Sequence, residues 1–194
     1  MANQDAAFGM RPLKMIGGQA FHGGQSRYRI AANYGTNIFQ GDMVAQVTGG
    51  TVEVHADGGT VPIVGVFNGC RFTDPTTKKE TFSNFYPAST NASDIEAFII
   101  DDPNVVYEIQ ADAAFPIADL FGNFDIVYTS SGSTVTGISG AELDVTTGAT
   151  NTNLPIKAID ISQDPENSDV GSDATNVQVV IQNHIFGVKG AGLA

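Results

Sequence analysis

Three histidines and one cysteine are the residues of this chain best suited to metal or nucleophilic chemistry. His22, His55 and His184 stand far apart, and none has a second histidine or a cysteine at zinc-ligand spacing. His184 follows an alternating apolar run, where an ordinary hydrogen-bonded ring is the commoner arrangement. Cys70 lies between Gly69 and Arg71. It would attack a substrate only as a thiolate beside a base, and a buried structural thiol is the usual state of such a residue. A lone cysteine also excludes an internal disulfide.

The carboxylates come next. Asp101-Asp102 and the group Asp164, Glu166, Asp169 and Asp173 offer oxygen ligands. Calcium needs about six to eight oxygens from a shaped loop, and the second group lacks the Asp-x-Asp/Asn-x-Asp/Asn-Gly order that supplies them. Both groups read as solvated turn acids. Paired carboxylates also cleave glycosidic bonds. Sugar clefts rely on aromatic platforms, however, and the chain has no tryptophan. No phosphate-cradling Gly-x-x-x-x-Gly-Lys-Ser/Thr loop, no dinucleotide Gly-x-Gly-x-x-Gly turn and no Gly-x-Ser-x-Gly elbow occurs. Asn91-Ala92-Ser93 fits a glycosylation sequon, which matters only in a secreted chain. The expectation is a non-enzymatic protein with no catalytic residue, no cofactor and no metal.

The elements that would carry these residues are mostly strands. Residues 43–47, 51–55, 61–67, 105–110, 125–129, 154–161 and 177–186 are Val/Ile-rich runs between Gly, Asn, Asp and Thr clusters. Residues 28–31, 82–86, 95–100 and 143–146 are shorter candidates. Ala56-Asp57-Gly58-Gly59 is a hairpin signal. Gly65 inside an apolar run predicts a bulge or a close backbone approach, and Asn68-Gly69 predicts that strand's end. Val105, Tyr107 and Ile109 alternate with Val106, Glu108 and Gln110, which predicts a strand with the two sets on opposite faces. Residues 111–121 are the one helix candidate. Residues 130–140 read as a loop or edge hairpin, and 164–175 as an acidic loop. The prediction is a mainly β chain forming a single β-sandwich or barrel-like domain.

Charge divides the chain. Its 194 residues carry nine basic and 21 acidic groups, a net charge of −12. Arg11, Lys14, Arg27 and Arg29 against Asp5 give the first 29 residues +3; the other five basic and 20 acidic groups leave the remainder at −15. An acidic body argues against nucleic acid as a partner. No run of 18 apolar residues is present to span a membrane, and the opening residues lack the pattern of a signal peptide. The glycine-dotted leader shows no sustained period. It is therefore expected to be an extended basic N-terminal arm over residues 1–27, ahead of a β domain at 28–186 and a flexible tail at 187–194. Two destinations are open for the arm: a neighbouring acidic subunit, or the acidic body of its own chain.

The opening Met1-Ala2-Asn3-Gln4-Asp5-Ala6-Ala7-Phe8-Gly9-Met10-Arg11-Pro12 resembles that of a family of tailed-bacteriophage virion proteins from marine and aquatic phages. Further likeness lies in Tyr28-Arg29-Ile30, in Ile38-Phe39-Gln40-Gly41-Asp42-Met43-Val44, and in Val64-Gly65-Val66-Phe67-Asn68-Gly69-Cys70. Asp101-Asp102-Pro103, Glu108-Ile109-Gln110 and the ending at 179–184 add to it. The resemblance implies a capsid decoration, or cement, protein on the outer surface of the head, assembled in the host cytoplasm. Its partners would be the major capsid protein and adjacent copies of itself, in a homotrimer for example. Arg11, Lys14, Arg27 and Arg29 are then expected to meet acidic capsid surface. Phe8, Met10, Pro12 and Phe21 are expected to anchor beneath neighbouring subunits. Two other classes stand beside it: a virion fibre, vertex or tail-associated attachment module using loops such as 130–153, and a glycan-acting hydrolase.

Overall fold

The structure is a computed structural model and describes residues 3–167 and 169–187. Among them, twelve strands follow one another: β1 (Arg11–Met15), β2 (Ser26–Arg29), β3 (Met43–Val47), β4 (Thr51–Val54), β5 (Ile63–Thr73), β6 (Glu80–Ser83), β7 (Glu96–Ile100), β8 (Val105–Gln110), β9 (Asn123–Tyr128), β10 (Ala141–Ala149), β11 (Ile156–Ile161) and β12 (Asn176–Ile181). They form two six-stranded sheets in which every paired strand is antiparallel. The first has the order β1-β8-β12-β11-β9-β10. The second has the order β2-β7-β5-β3-β4, with β6 paired to the far half of β5. Packed together, the sheets make the predicted β-sandwich.

The inner faces meet in one apolar cluster. Val105, Tyr107 and Ile109 of β8, Val177 and Val179 of β12, and Phe124 and Ile126 of β9 pack there against Met43, Ile63, Val66 and Ile100 of the second sheet. The second sheet also curls, bringing β2 and β4 towards each other. Its concave side closes on a second cluster of Val44, Val64, Phe67, Cys70, Ala97 and Ile99, capped by Ile30, Ile38, Tyr86 and Ile95 from the connecting loops. Gly65 explains how β5 lies so close to β7: a Cβ there would collide with the carbonyl oxygen of Ile100. The close approach predicted at Gly65 is real.

Three expectations are corrected. Residues 3–27 do not stand off as an extended arm but pack on the body of their own chain, the second of the two destinations open for the leader. Within them β1 is an edge strand on β8, with Arg11 opposite Glu108 and Met15 opposite Val105, and β2 is an edge strand on β7. The backbone groups of β8 and β7 need partners on that side, and the leader supplies them. The helix proposed for 111–121 reduces to one 3-10 turn, Ile117–Asp119, because Pro116 lacks an N–H and turns the chain. Finally, β5 does not stop at Asn68-Gly69. It continues to Thr73 through a bulge between Phe67 and Gly69, since Gly69 takes up a positive φ of 135° without strain. Of the tail, residues 188–194 lie outside the described residues.

Candidate interaction surface

The leader is fastened residue by residue. Asn3 Nδ2 donates to Asp173 O at 3.0 Å, and Asp169 N–H donates to Asn3 Oδ1 at 3.0 Å. Ala6 N–H donates to Gln110 Oε1 at 2.8 Å, while Gln110 Nε2 and Asn167 Nδ2 donate to Gln4 O at 2.9 and 2.8 Å. Gly9 then threads a gap: a Cβ on it would lie 2.6 Å from Ser139 Cβ and 2.7 Å from Gly41 O. Met10 N–H donates to Gly41 O at 2.9 Å, and its side chain is buried in the inter-sheet cluster. Arg11 pairs with Glu108, a buried carboxylate that also accepts from Ser162 Oγ. The Arg11 guanidinium sits 4.7 Å from the centre of the Phe8 ring, a cation–π contact.

This threading leaves an open, mostly apolar cleft of about 230 Å³. Phe8, Met10 and Pro12 form one wall, and Val66, Phe67 and Ile100 the other; Ile138 and the polar Gln40, Asn68 and Arg11 stand round it. Asn68, at the β5 bulge, donates to Gln25 Oε1 and accepts from Gln40 Nε2, both at 2.9 Å. The cleft thus runs on to the part of the Ile100 face of β2, β7, β5 and β6 that the first sheet does not cover. There Arg27 stands opposite Phe98, and Glu96 lies between Arg29 and Arg71. Phe82, 67% exposed, stacks on Phe98 with ring centres 6.5 Å apart.

The charges of this face are largely matched. Arg71 lies 2.9 Å from Glu96 and 2.5 Å from Glu80, and Arg27 lies 3.7 Å from Glu96. Arg71, then Arg27 and Arg29, hold the Glu96 carboxyl below its ordinary pKa. Neither Lys14 nor Arg29 has an ion pair within 4 Å among the described residues.

The structure therefore gathers Phe8, Met10, Arg11 and Pro12 at one cleft and places Arg27 and Arg29 on the adjoining sheet face. It separates Phe21, which packs against the inter-sheet cluster, and Lys14, which sits in β1 opposite Val106 and bridges to Ala20. Sequence reasoning missed Val66, Phe67, Ile100 and Ile138 as cleft walls and Phe82 and Phe98 as an exposed stack. The Phe67-Asn68-Gly69 bulge was the one signal that could have exposed this edge.

Two further hollows carry titratable groups. One, of about 220 Å³, is lined by Asp42, His55, Asp57 and Tyr128 among others. Burial raises the Asp42 pKa to about 6, against the opposing hydrogen bonds from Ser139 Oγ and the Phe39 N–H. The other, of about 200 Å³, is bordered by Asp5, Asp112, Glu142 and Asp173; burial, reinforced by Asp5 and Asp112, pushes Glu142 up. Among the described residues, no three His, Cys, Asp or Glu side chains are grouped so as to hold a metal ion. Cys70 is buried with its thiol pushed up to about 12 by desolvation, and its Sγ donates to Phe85 O at 3.5 Å. That is an inert thiol.

Fold and surface define an all-β sandwich with an open apolar cleft beside its leader. No helix among the described residues is long and apolar enough to cross a membrane. Comparison with protein-family models, with curated proteins and with solved structures finds no match.

Proposed function

We propose that this chain is a non-enzymatic decoration, or cement, protein of a tailed-bacteriophage head, binding the outer capsid surface and stabilising the DNA-filled shell. The observation that carries the reading is the apolar cleft built by Phe8–Pro12 and by Val66, Phe67 and Asn68, which belong to the opening and to the Gly65–Cys70 block, the two more specific parts of the resemblance to phage virion proteins. Phe8 is only half-buried there. Pro12 is half-buried as well and Ile138 is 41% exposed, whereas Met10, Val66, Phe67 and Ile100 are already buried. Covering the cleft therefore takes water chiefly off Phe8, Pro12 and Ile138 and would contribute on the order of 1–2 kcal/mol.

The charged part of the contact is smaller than composition suggests. Arg11 and Arg27 are engaged with Glu108 and Glu96, so attraction to an acidic shell surface falls chiefly to Lys14 and Arg29. The shell protein's contribution is then a largely apolar projection with an acidic margin. Adjacent copies of this chain complete the coat.

One observation favours a second reading, a fibre, vertex or tail-associated attachment module. Val135 is 94% exposed at the tip of a loop pinned by Gly137 N–H to Ser133 O and Ser133 N–H to Ile138 O. A copy count in purified particles separates the two. A ratio to the major shell protein near one to a small integer is expected for cement; a few copies per particle would overturn that reading in favour of the attachment module.

A further inference from the structure

We propose that His55 and His184 form an acid-sensitive latch between the two sheets, closed while both rings are neutral and loosened when they take up protons. Each histidine belongs to a backbone link across the sandwich. The His55 carbonyl, just after β4, accepts from Tyr128 Oη of β9 at 3.1 Å, and its N–H donates to Met43 O at 2.8 Å. His184, beyond β12, bridges in parallel to Ile63 at the start of β5. Ile63 N–H donates to Asn183 O and Ile185 N–H to Ile63 O, both at 2.8 Å. Asn183 Nδ2 donates to Thr60 O at 3.1 Å. The segment 56–62 therefore runs from one histidine to the strand that the other holds.

Among the described residues, neither ring has an acidic side chain in contact to balance a second proton. His55 is 1% exposed and His184 2%. Nε2 of His184 is buried without a hydrogen-bond partner, and the two buried nitrogens of His55 make no well-formed hydrogen bond, with only the backbone of Val61 and Ala56 near them. His184 Nδ1 accepts from Phe186 N–H at 3.0 Å, which puts the single proton on Nε2. Gly59 closes on the His55 ring so tightly that a Cβ there would lie 2.8 Å from Cε1. An imidazolium at either place is a buried charge without a counter-ion in contact.

The charged and titratable groups facing them have been weighed by the fold itself. Asp42, Asp57 and Tyr128 share the hollow with His55, and Asp125 approaches the neighbouring Gly58. The backbone of Val61 and of Ala56 favours the charged ring, yet burial dominates and lowers its pKa. At His184 burial likewise outweighs Asp101 and Asp102. Both folded-state pKa values lie below the unfolded one. The stability they confer is complete above about pH 6.5, the ordinary histidine value, and is lost as pH falls below it. Asp42 acts in the opposite sense: with its pKa raised to about 6, its proton uptake favours the fold as pH falls. The latch must therefore be read locally.

The test uses the full chain. Amide exchange at Ile63 and Ile185, corrected for the intrinsic pH dependence, is compared at pH 7.5 and 5.0 with that of Ile38 and Tyr86, which pair within the second sheet's cap. The seam amides should accelerate about tenfold more than the cap amides, the factor equivalent to one pKa unit, and His55→Gln/His184→Gln should remove the excess. Ring resonances supply a readout that needs no variant. His55 and His184 should stay neutral until the seam opens. Rings that titrate at the ordinary histidine value of about 6.5 in an intact fold, or seam amides that follow the cap amides at both pH values, would overturn the latch.

Discussion

Strands β5 and β8 are both buried on two faces, but they are covered in different ways. On β5 the second face is closed by apolar side chains: Val64, Phe67 and Cys70 pack beneath Ile38, Tyr86 and Ile95. On β8 the second face carries Glu108 and Gln110, 2% and 1% exposed, and the leader closes it with hydrogen bonds and one ion pair. An apolar cover is stabilised by area removed from water and tolerates imperfect geometry. A polar cover is specific to its partner, and its loss leaves buried polar groups unsatisfied. The difference teaches that a short, glycine-dotted basic leader can be a structural part of a sandwich without any apolar periodicity of its own.

The most severe way to break the comparison is to remove the polar cover altogether. A chain beginning at residue 28 loses β1, Met10 and the partners of Glu108 and Gln110, and should show no cooperative thermal transition by circular dichroism. A native-like melt would mean that β8 does not need the leader. On the β5 side, Gly65→Ala forces a Cβ into the Ile100 carbonyl, and urea unfolding should show a loss of about 3 kcal/mol or more. Met10→Ala, at the join of leader and core, should cost about 2–4 kcal/mol by the same measurement. Arg11→Ala sharpens the contrast with a smaller effect, about 1–2 kcal/mol. It strips one partner from buried Glu108 but leaves the Ser162 hydroxyl in place.

The same contrast explains what was legible in the sequence. The β class followed from Val/Ile runs between turn residues, and β3 and β8 have the predicted boundaries. The alternation of Val105, Tyr107 and Ile109 with Val106, Glu108 and Gln110 separated the two faces of β8. What covers the second face was not legible, because nothing local to Glu108 or Gln110 announces a partner about a hundred residues earlier in the chain. For the same reason residues 11–15 read as arm: Arg-Pro-Leu-Lys-Met has a burial pattern only in its register with β8. Four of the eight residues nominated for an interface do line one cleft. Val66 and Ile100 on its opposite wall come from strands that look like ordinary core, and only the three-dimensional packing exposes them there.

The central claim is that the cleft walled by Phe8–Pro12 attaches this chain to a capsid surface. Co-sedimentation with phage heads that lack the chain tests it, comparing the native protein with Phe8→Ser/Ile138→Ser, which alters two cleft residues that are not fully buried. The native protein should saturate at a small-integer ratio to the shell protein, and the variant should keep a cooperative melt while binding at least about tenfold more weakly, the weight expected of a hot-spot pair. Equal binding by the two, or no binding by the native protein, would contradict the account.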